Sequence, residues 1–302
     1  MKKVLFTLLF LGCVLSQRVF SLELELAGGL GNLAFDKART SPLGDDDPDK
    51  TGAFSPHLFP LALARLSGEY RGFSYSAGYE RDPVERNRVF ANVGLNLDYF
   101  FIEAGPSIGV FNSAELPINP GISAALGLAV PGVIFVRAGG SSTLGAVMDI
   151  PNNYMQSSGN ISAGFWVPHV ICSLNMNVSS FTLRRKANLL IEDALTRYFF
   201  RADVYTKNVP YTVHVDLGYQ KLSRSYTSQK IDSGDIVKDT KTDEFKSVFI
   251  GLEGTYTLSP ALKFLLGGEI PVYSWGVLPL KNPPKNTFLF QARAGITWTF
   301  GQ

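Results

Sequence analysis

The stretch that decides the fold is Phe288-Leu289-Phe290-Gln291-Ala292-Arg293-Ala294-Gly295-Ile296-Thr297-Trp298-Thr299-Phe300. Successive side chains of a β-strand point to opposite faces. One face here reads Phe288, Phe290, Ala292, Ala294, Ile296, Trp298 and Phe300; the other reads Leu289, Gln291, Arg293, Gly295, Thr297 and Thr299. An apolar face ending in an aromatic pair, backed by a mostly polar face carrying a charge, fits a strand with lipid on one side and an aqueous lumen on the other.

The pattern recurs upstream. Val89, Ala91, Val93, Leu95, Leu97 and Tyr99 alternate with Phe90, Asn92, Gly94, Asn96 and Asp98. Tyr211, Val213, Val215, Leu217 and Tyr219 alternate with Thr212, His214, Asp216, Gly218 and Gln220. Tyrosine at both ends of the latter segment suits two interfacial girdles. Segments of this kind fall near 22–34, 58–70, 72–81, 88–99, 100–110, 121–130, 133–143, 160–168, 170–183, 195–206, 209–221, 245–257, 261–272 and 288–300. The chain is therefore expected to be all-β: a single transmembrane, antiparallel, up-and-down barrel of about 14 strands, with about 12 or 16 as the even-numbered alternatives.

The connections carry that expectation further, because outer-membrane barrels alternate short periplasmic turns with long external loops. Every second connection is tight: Arg71, Tyr99-Phe100, Pro131-Gly132, His169, Lys207-Asn208 and Leu258-Ser259-Pro260. Those between them are longer, at 35–57, 82–87, 111–120, 144–159, 184–194, 222–244 and 273–287. Pro48, Pro56, Pro83, Pro117, Pro120, Pro151, Pro279, Pro283 and Pro284 all fall in the long set, where no ladder N–H is lost. Pro60 and Pro106 are exceptions within strand segments. Lys186 to Leu195 has helical spacing of Leu189, Leu190 and Ala194, which predicts a short helix at the mouth.

The first residues read as an address. Lys2 and Lys3 precede an apolar run from Val4 to Leu15, and Val19-Phe20-Ser21 offers a cleavage site. Cutting after Ser21 divides the chain into a signal peptide, 1–21, and a barrel, 22–302. The run is shorter than the roughly 20 residues a spanning helix needs. Cys13 raises the alternative of a lipid-anchored periplasmic protein, but position −3 to it holds Phe10 rather than leucine, and a cut there would leave an apolar tail from Val14 to Phe20.

Losing Lys2, Lys3 and Arg18 lowers the formal charge of +2 by three, to −1. A chain without clustered basic residues gives no reason to expect a nucleic-acid partner. Cys172 would be the one cysteine left, so no internal disulfide can form. Hydrophobic residues at 45% with aromatics at 12% argue against disorder and suit strands and membrane interfaces.

The chain resembles bacterial outer-membrane β-barrel proteins of spirochaete, particularly treponemal, type. The resemblance is carried by the signal ending Val19-Phe20-Ser21, the opening LELELAGGLGNLAFD from Leu22 and the closing Ile296-Thr297-Trp298-Thr299-Phe300. It implies a bacterial outer-membrane location, contact with the lipid bilayer, and recognition of the C-terminal strand by the barrel-assembly machinery. Gly301 and Gln302 follow the phenylalanine that usually ends such chains. Long-chain fatty-acid transporter barrels are similar in strand number, but the first strand here starts directly at the cleavage site and leaves no residues for their N-terminal plug.

On the barrel reading the polar faces line a lumen at Arg65, Glu69, Asp98, Glu103, Arg137, Arg197, Arg201, Asp203, His214, Asp216, Glu253, Lys263, Glu269 and Arg293. Adjacent strands place Arg293 near Glu269, and Arg201 and Asp203 near His214 and Asp216, so partial neutralisation is expected. Phe135, Trp166, Ile171, Phe199, Phe249 and Leu265 add apolar surface to the same face. Gly121, Ser123, Ala125, Gly127 and Ala129 leave one wall almost bare, with room for a ligand or an inward loop.

No enzyme is expected, since His214 and Asp216 could begin a general base but lack an identifiable nucleophile. No cofactor is expected either. His57, His169 and His214 are too scattered for zinc, and Asp45-Asp46-Asp47-Pro48-Asp49 lacks the glycine and glutamate of a helix-loop-helix calcium site. The expected function is a channel or transporter for small, amphipathic or hydrophobic solutes; the alternative is a closed structural or adhesive surface barrel.

Overall fold

The computed structural model of the protein describes residues 21–32, 58–82, 84, 86–110, 118–144, 153–186, 189–206, 209–232, 235–275 and 289–300. Residues 1–20 of the expected signal peptide, Cys13 among them, and the acidic loop at 45–49 lie outside them, while Ser21, its expected last residue, opens the first strand. Fourteen strands run in chain order: β1 (Ser21–Gly31), β2 (Phe59–Tyr70), β3 (Phe73–Asp82), β4 (Arg86–Asn96), β5 (Phe100–Val110), β6 (Asn119–Val130) and β7 (Ile134–Thr143), then β8 (Asn153–Val167), β9 (Val170–Lys186), β10 (Leu189–Tyr205), β11 (Tyr211–Asp232), β12 (Asp235–Ser259), β13 (Leu262–Trp275) and β14 (Gln291–Phe300). Each pairs antiparallel with its sequence neighbours. The ring closes where β14 meets β1, with Phe300 opposite Leu22 and Gln291 opposite Gly31.

Alternation sets the two faces. Following the register, Leu22, Leu24 and Leu26 share the outer face with Phe300, Trp298 and Ile296, while Glu23 and Glu25 share the inner face with Thr299 and Thr297. The exposed large hydrophobic side chains of the strands lie on the outer face, among them Val93 and Leu266 at 71% exposure and Leu174 at 68%. Water tolerates scattered apolar side chains but not a continuous apolar belt round a closed sheet. Hydrocarbon is the matching solvent, and closure leaves no strand edge unpaired inside it. Tyr198, Tyr219 and Tyr273 sit in register on β10, β11 and β13 at one rim of the belt, and Tyr211, Tyr256 and Phe300 belong to the other. An apolar groove of about 450 Å³ on this outer wall, among Ala104, Ala124, Ala138 and Met176, belongs to the same lipid contact surface. Among the described residues no helix is long and apolar enough to cross a membrane.

One end of the barrel carries the tight turns. Tyr70 pairs with Phe73 around Arg71 (φ 51°) and Gly72 (φ 81°), two left-handed residues as a two-residue hairpin of the strand-matching twist requires. Gly132 (φ 76°) and His169 (φ 69°) serve two further turns. At the opposite end several expected loops are strand instead. Of the helix expected over 186–195, Lys186 ends β9 and Leu189 to Leu195 begin β10: Ile191, Asp193 and Leu195 face inward and are buried, a period of two that the buried aspartate disguises as polar spacing. The expected loop at 222–244 is a ribbon formed by the outer ends of β11 and β12, paired as far as Asp232 and Asp235.

Pro120 lies within β6 rather than in a loop, opposite Ile108. Pro106 sits where the β4–β5 ladder skips between Phe90↔Ser107 and Val93↔Ala104. The neighbouring Gly105 approaches so closely that a Cβ there would lie 1.9 Å from the Ala91 carbonyl oxygen.

The belt yields a test that separates lipid from water. Leu266→Arg on the outer face is expected to destabilise the barrel in lipid vesicles by about 2–4 kcal/mol. Leu265→Arg, one residue along and facing inward, should cost much less. Urea titration of both variants reads the difference, and equal effects would remove the lipid assignment.

Candidate functional site: the lumen and its closure

Thirteen of the fourteen residues expected to line the lumen sit at inward positions of the register: Arg65, Glu69, Glu103, Arg137, Arg197, Arg201, Asp203, His214, Asp216, Glu253, Lys263, Glu269 and Arg293. Asp98 does not. β4 ends at Asn96, and Asp98 occupies the turn to β5, where the Leu97–Phe100 backbone hydrogen bonds have already closed the hairpin.

The charges pair across strands. Arg201 holds Asp216 in a two-pronged grip, Nε to Oδ1 and Nη2 to Oδ2 at 2.7 Å each. His214 Nδ1 lies 2.7 Å from Asp203 Oδ1, so the histidine is oriented by the neighbouring strand, and Asp216, its expected companion, is engaged by arginine. The expected Arg293–Glu269 meeting does not occur. Register sets Arg293 beside Gly267, and the absent side chain there lets Glu253 reach across from β12 to accept from Arg293 Nε at 2.6 Å. Glu269 is instead taken by Nη2 of Arg197, which reaches over β11 and β12 with its guanidinium carbon 4.3 Å from the centre of the Phe249 ring.

The interior is filled unevenly. On the β4–β8 side, side chains span the lumen as chords: Tyr154 donates its hydroxyl to the Gly109 carbonyl at 2.7 Å, and Arg88 Nη1 reaches Ser158 Oγ at 3.0 Å. Phe135 meets Trp166 edge-on at 5.0 Å, with Arg137 over Phe135. The small-residue wall of β6 is not empty space. A Cβ at Gly127 would lie 2.1 Å from the Phe101 ring, and one at Gly121 would lie 2.8 Å from Ser107 Oγ. Neighbouring side chains occupy the room the sequence left open.

The β9–β14 and β1–β3 side is hollow, with a cavity of about 580 Å³ bounded by the three arginine–carboxylate pairs, by Glu25, Glu80 and Asp82, and by Leu61, Leu63, Phe199 and Leu265. Above it, towards the ribbon, apolar side chains of the described residues meet across the lumen. Val84, at the tip between β3 and β4, packs against Leu195, Leu222 and Phe245 from the opposite wall, with Leu289 beside them. Val84 is 2% exposed, and the Asp82 carboxylate accepts its backbone N–H at 2.7 Å, fixing the turn. Tyr154 stacks on Phe181 with Leu183 in a second buried cluster. Arg224 and Asp193 form a two-pronged pair with 0% and 2% of their side chains exposed. This closure is the feature the sequence reading missed; its signal was the apolar inward set Ile191, Leu195, Leu222 and Phe245 just beyond the membrane belt.

Outside the wall, four residues past the Tyr219 rim, Glu244 accepts from Lys221 and from Lys246 Nζ, the latter at 2.7 Å. These hydrogen bonds hold its carboxyl below the ordinary range. The stabilisation is present above the ordinary carboxylate pKa and is lost as pH falls through the lowered one. Among the described residues no group of three or more histidine, cysteine, aspartate or glutamate side chains could hold a metal ion.

No family model and no curated protein matches the chain. Among solved structures it is similar to a bacterial polysaccharide outer membrane secretin (12% identity, covering 92% of this chain and 98% of that one, TM-score 0.44). It is similar also to OmpT, an outer membrane protein of Vibrio cholerae (9% identity, 93% and 96%, TM-score 0.44), and to an outer membrane channel from Pseudomonas putida F1 (7% identity, 93% and 95%, TM-score 0.42). At these values what those proteins do does not transfer to this chain.

The buried and exposed ion pairs should respond differently to mutation. Asp193→Ala strands a buried guanidinium and is expected to cost about 3–5 kcal/mol. Glu244→Gln removes an exposed contact and should stay within about 1 kcal/mol. Denaturant midpoints in detergent or lipid check both values.

Proposed function

We propose that the chain is a bacterial outer-membrane barrel that passes small, amphipathic solutes through a lumen gated at its ribbon end. The observation that carries this is the hollow of about 580 Å³ lying directly beneath the apolar contact of Val84 with Leu195, Leu222 and Phe245. Its volume and its mixture of charged and apolar lining match those of sites that hold small ligands. In that contact Val84 alone comes from a turn; Leu195, Leu222 and Phe245 stand on neighbouring strands.

Location, export and assembly belong to the same proposal. The N-terminal segment 1–21 acts as a cleaved signal, the β14 segment ending Trp298-Thr299-Phe300 addresses the barrel-assembly machinery, and the resemblance of both end segments to spirochaete outer-membrane proteins supports kinship with that group. Supporting this are the lipid-facing belt and the tight-turn end, which would face the periplasm while the ribbon faces outward. No catalytic role is assigned.

A second reading has an observation of its own. The interior of the β4–β8 side is packed and the β11–β12 ribbon extends well past the membrane rim, as suits a closed adhesive barrel. Shortening the ribbon between Lys221 and Lys246 would abolish attachment to host or matrix on that reading and leave permeability unchanged.

Planar-bilayer recording with liposome flux tests the transport reading. The native protein is expected to show infrequent openings, and Val84→Asp, which places a carboxylate in the apolar seal, to raise open-state occupancy several-fold. Absence of conductance and of solute flux in both proteins would sink it.

A further inference from the structure

We infer that the hollow is a binding site for a small amphipathic zwitterion, a solute carrying one carboxylate and one ammonium group, which seats on the Arg197–Glu269 pair. The inference rests on the lumen being the solute route.

Three inward arginines bounding the hollow are already held by carboxylates: Arg201 by Asp216, Arg293 by Glu253, Arg197 by Glu269; a fourth, Arg81, borders it from the outward register of β3. Arg197 and Glu269 are the most enclosed of these pairs, at 19% and 14% side-chain exposure: an anionic solute taking Arg197 would leave Glu269 unpaired, and a cationic solute taking Glu269 would strand Arg197. Both carry the penalty of an uncompensated buried charge. A zwitterion exchanges partners without that penalty, because its carboxylate replaces the glutamate and its ammonium group satisfies the glutamate released. One charge-assisted contact becomes two, with no change in net charge.

Arg197–Glu269 is the pair suited to exchange. Arg201 and Arg293 both use Nε in their grip. Arg197 reaches Glu269 through Nη2, and its Nε has no hydrogen-bond partner. Phe249 supports the guanidinium from one face, so the group keeps its position when its carboxylate partner moves. Leu195, Phe199 and Leu265 flank it with apolar surface in the same hollow. The volume of about 580 Å³ lies within the range of sites that enclose small molecules.

Three probes of nearly equal size separate the charge classes: leucyl-leucine as the zwitterion, N-acetyl-leucyl-leucine as the anion and leucyl-leucine amide as the cation. Calorimetric titration of the folded barrel in detergent micelles is expected to show leucyl-leucine binding at least tenfold more tightly than either derivative. Arg197→Gln should abolish that preference, the charge-swapped R197E/E269R variant should restore it, and Arg137→Gln, outside the hollow, should leave it intact. Heat-dependent gel mobility verifies that each variant is folded.

Equal binding of the three probes, no binding of leucyl-leucine, or a preference that survives Arg197→Gln in the folded protein would overturn the inference. The two readings fail separately. Solute flux without zwitterion preference removes the site and leaves transport standing. Preference without flux removes transport and leaves the site.

Discussion

Every backbone N–H and C=O placed in hydrocarbon must find a partner within the protein, and the pairing of β14 with β1 is where this chain meets that demand. An open sheet of thirteen ladders would leave two rows of polar groups facing lipid. Closing it, from Leu22 opposite Phe300 to Gly31 opposite Gln291, turns the whole sheet inside out relative to a soluble protein. The apolar side chains face outward and hold the barrel in the bilayer, and the polar ones are committed to the interior whether or not water can reach them.

That commitment explains the internal chemistry. Charges facing a lumen partly shut from solvent must be paired, and the antiparallel register supplies partners in rows: Arg201 beside Asp216, Asp203 beside His214. Where the adjacent strand supplies none, glycine opens a path straight across it, as at Gly267 between Glu253 and Arg293. The same glycine logic compresses the β4–β6 wall. At Gly105 and Gly127 any side chain would meet backbone or an aromatic ring, so the small residues record crowding rather than vacancy.

The fold was legible in the sequence because its two strongest signals are local: alternation within strands and the contrast between tight and long connections. Strand number and the inner-face residues follow from those alone. What was illegible depends on contacts between strands far apart in sequence. Nothing near Val84 announces that it will meet Leu222 and Phe245, and the tilt of the strands, not their order, decides that Arg197 reaches Glu269. Strand ends beyond the membrane were also misread, since outside lipid the exterior no longer needs to be apolar: Thr196, Ser180 and Lys221 replace the belt residues and erase the alternation. Asp98 failed for the opposite reason, its apolar neighbours Leu97 and Tyr99 continuing the alternation one step past the last ladder pair.

The asymmetry of the interior then has a single cause. The wall with small inward residues, β5–β7, draws its neighbours' long side chains across itself and fills, with Tyr154 and Arg88 as the chords. The wall with large paired charges, β10–β14, cannot be filled the same way, because its guanidinium groups are fixed by carboxylates on their own side and do not reach the opposite strands. A hollow is what remains between a wall that crosses the lumen and a wall that folds back on itself. Its closure at one end follows too: between the row of Arg197 and the buried Arg224–Asp193 pair the inward positions are Leu195, Leu222 and Phe245, side chains that gain from meeting one another and Val84 across the mouth. The position of the hollow, the pairing of its charges and the seal above it are thus three consequences of where along each inward row charge gives way to hydrocarbon.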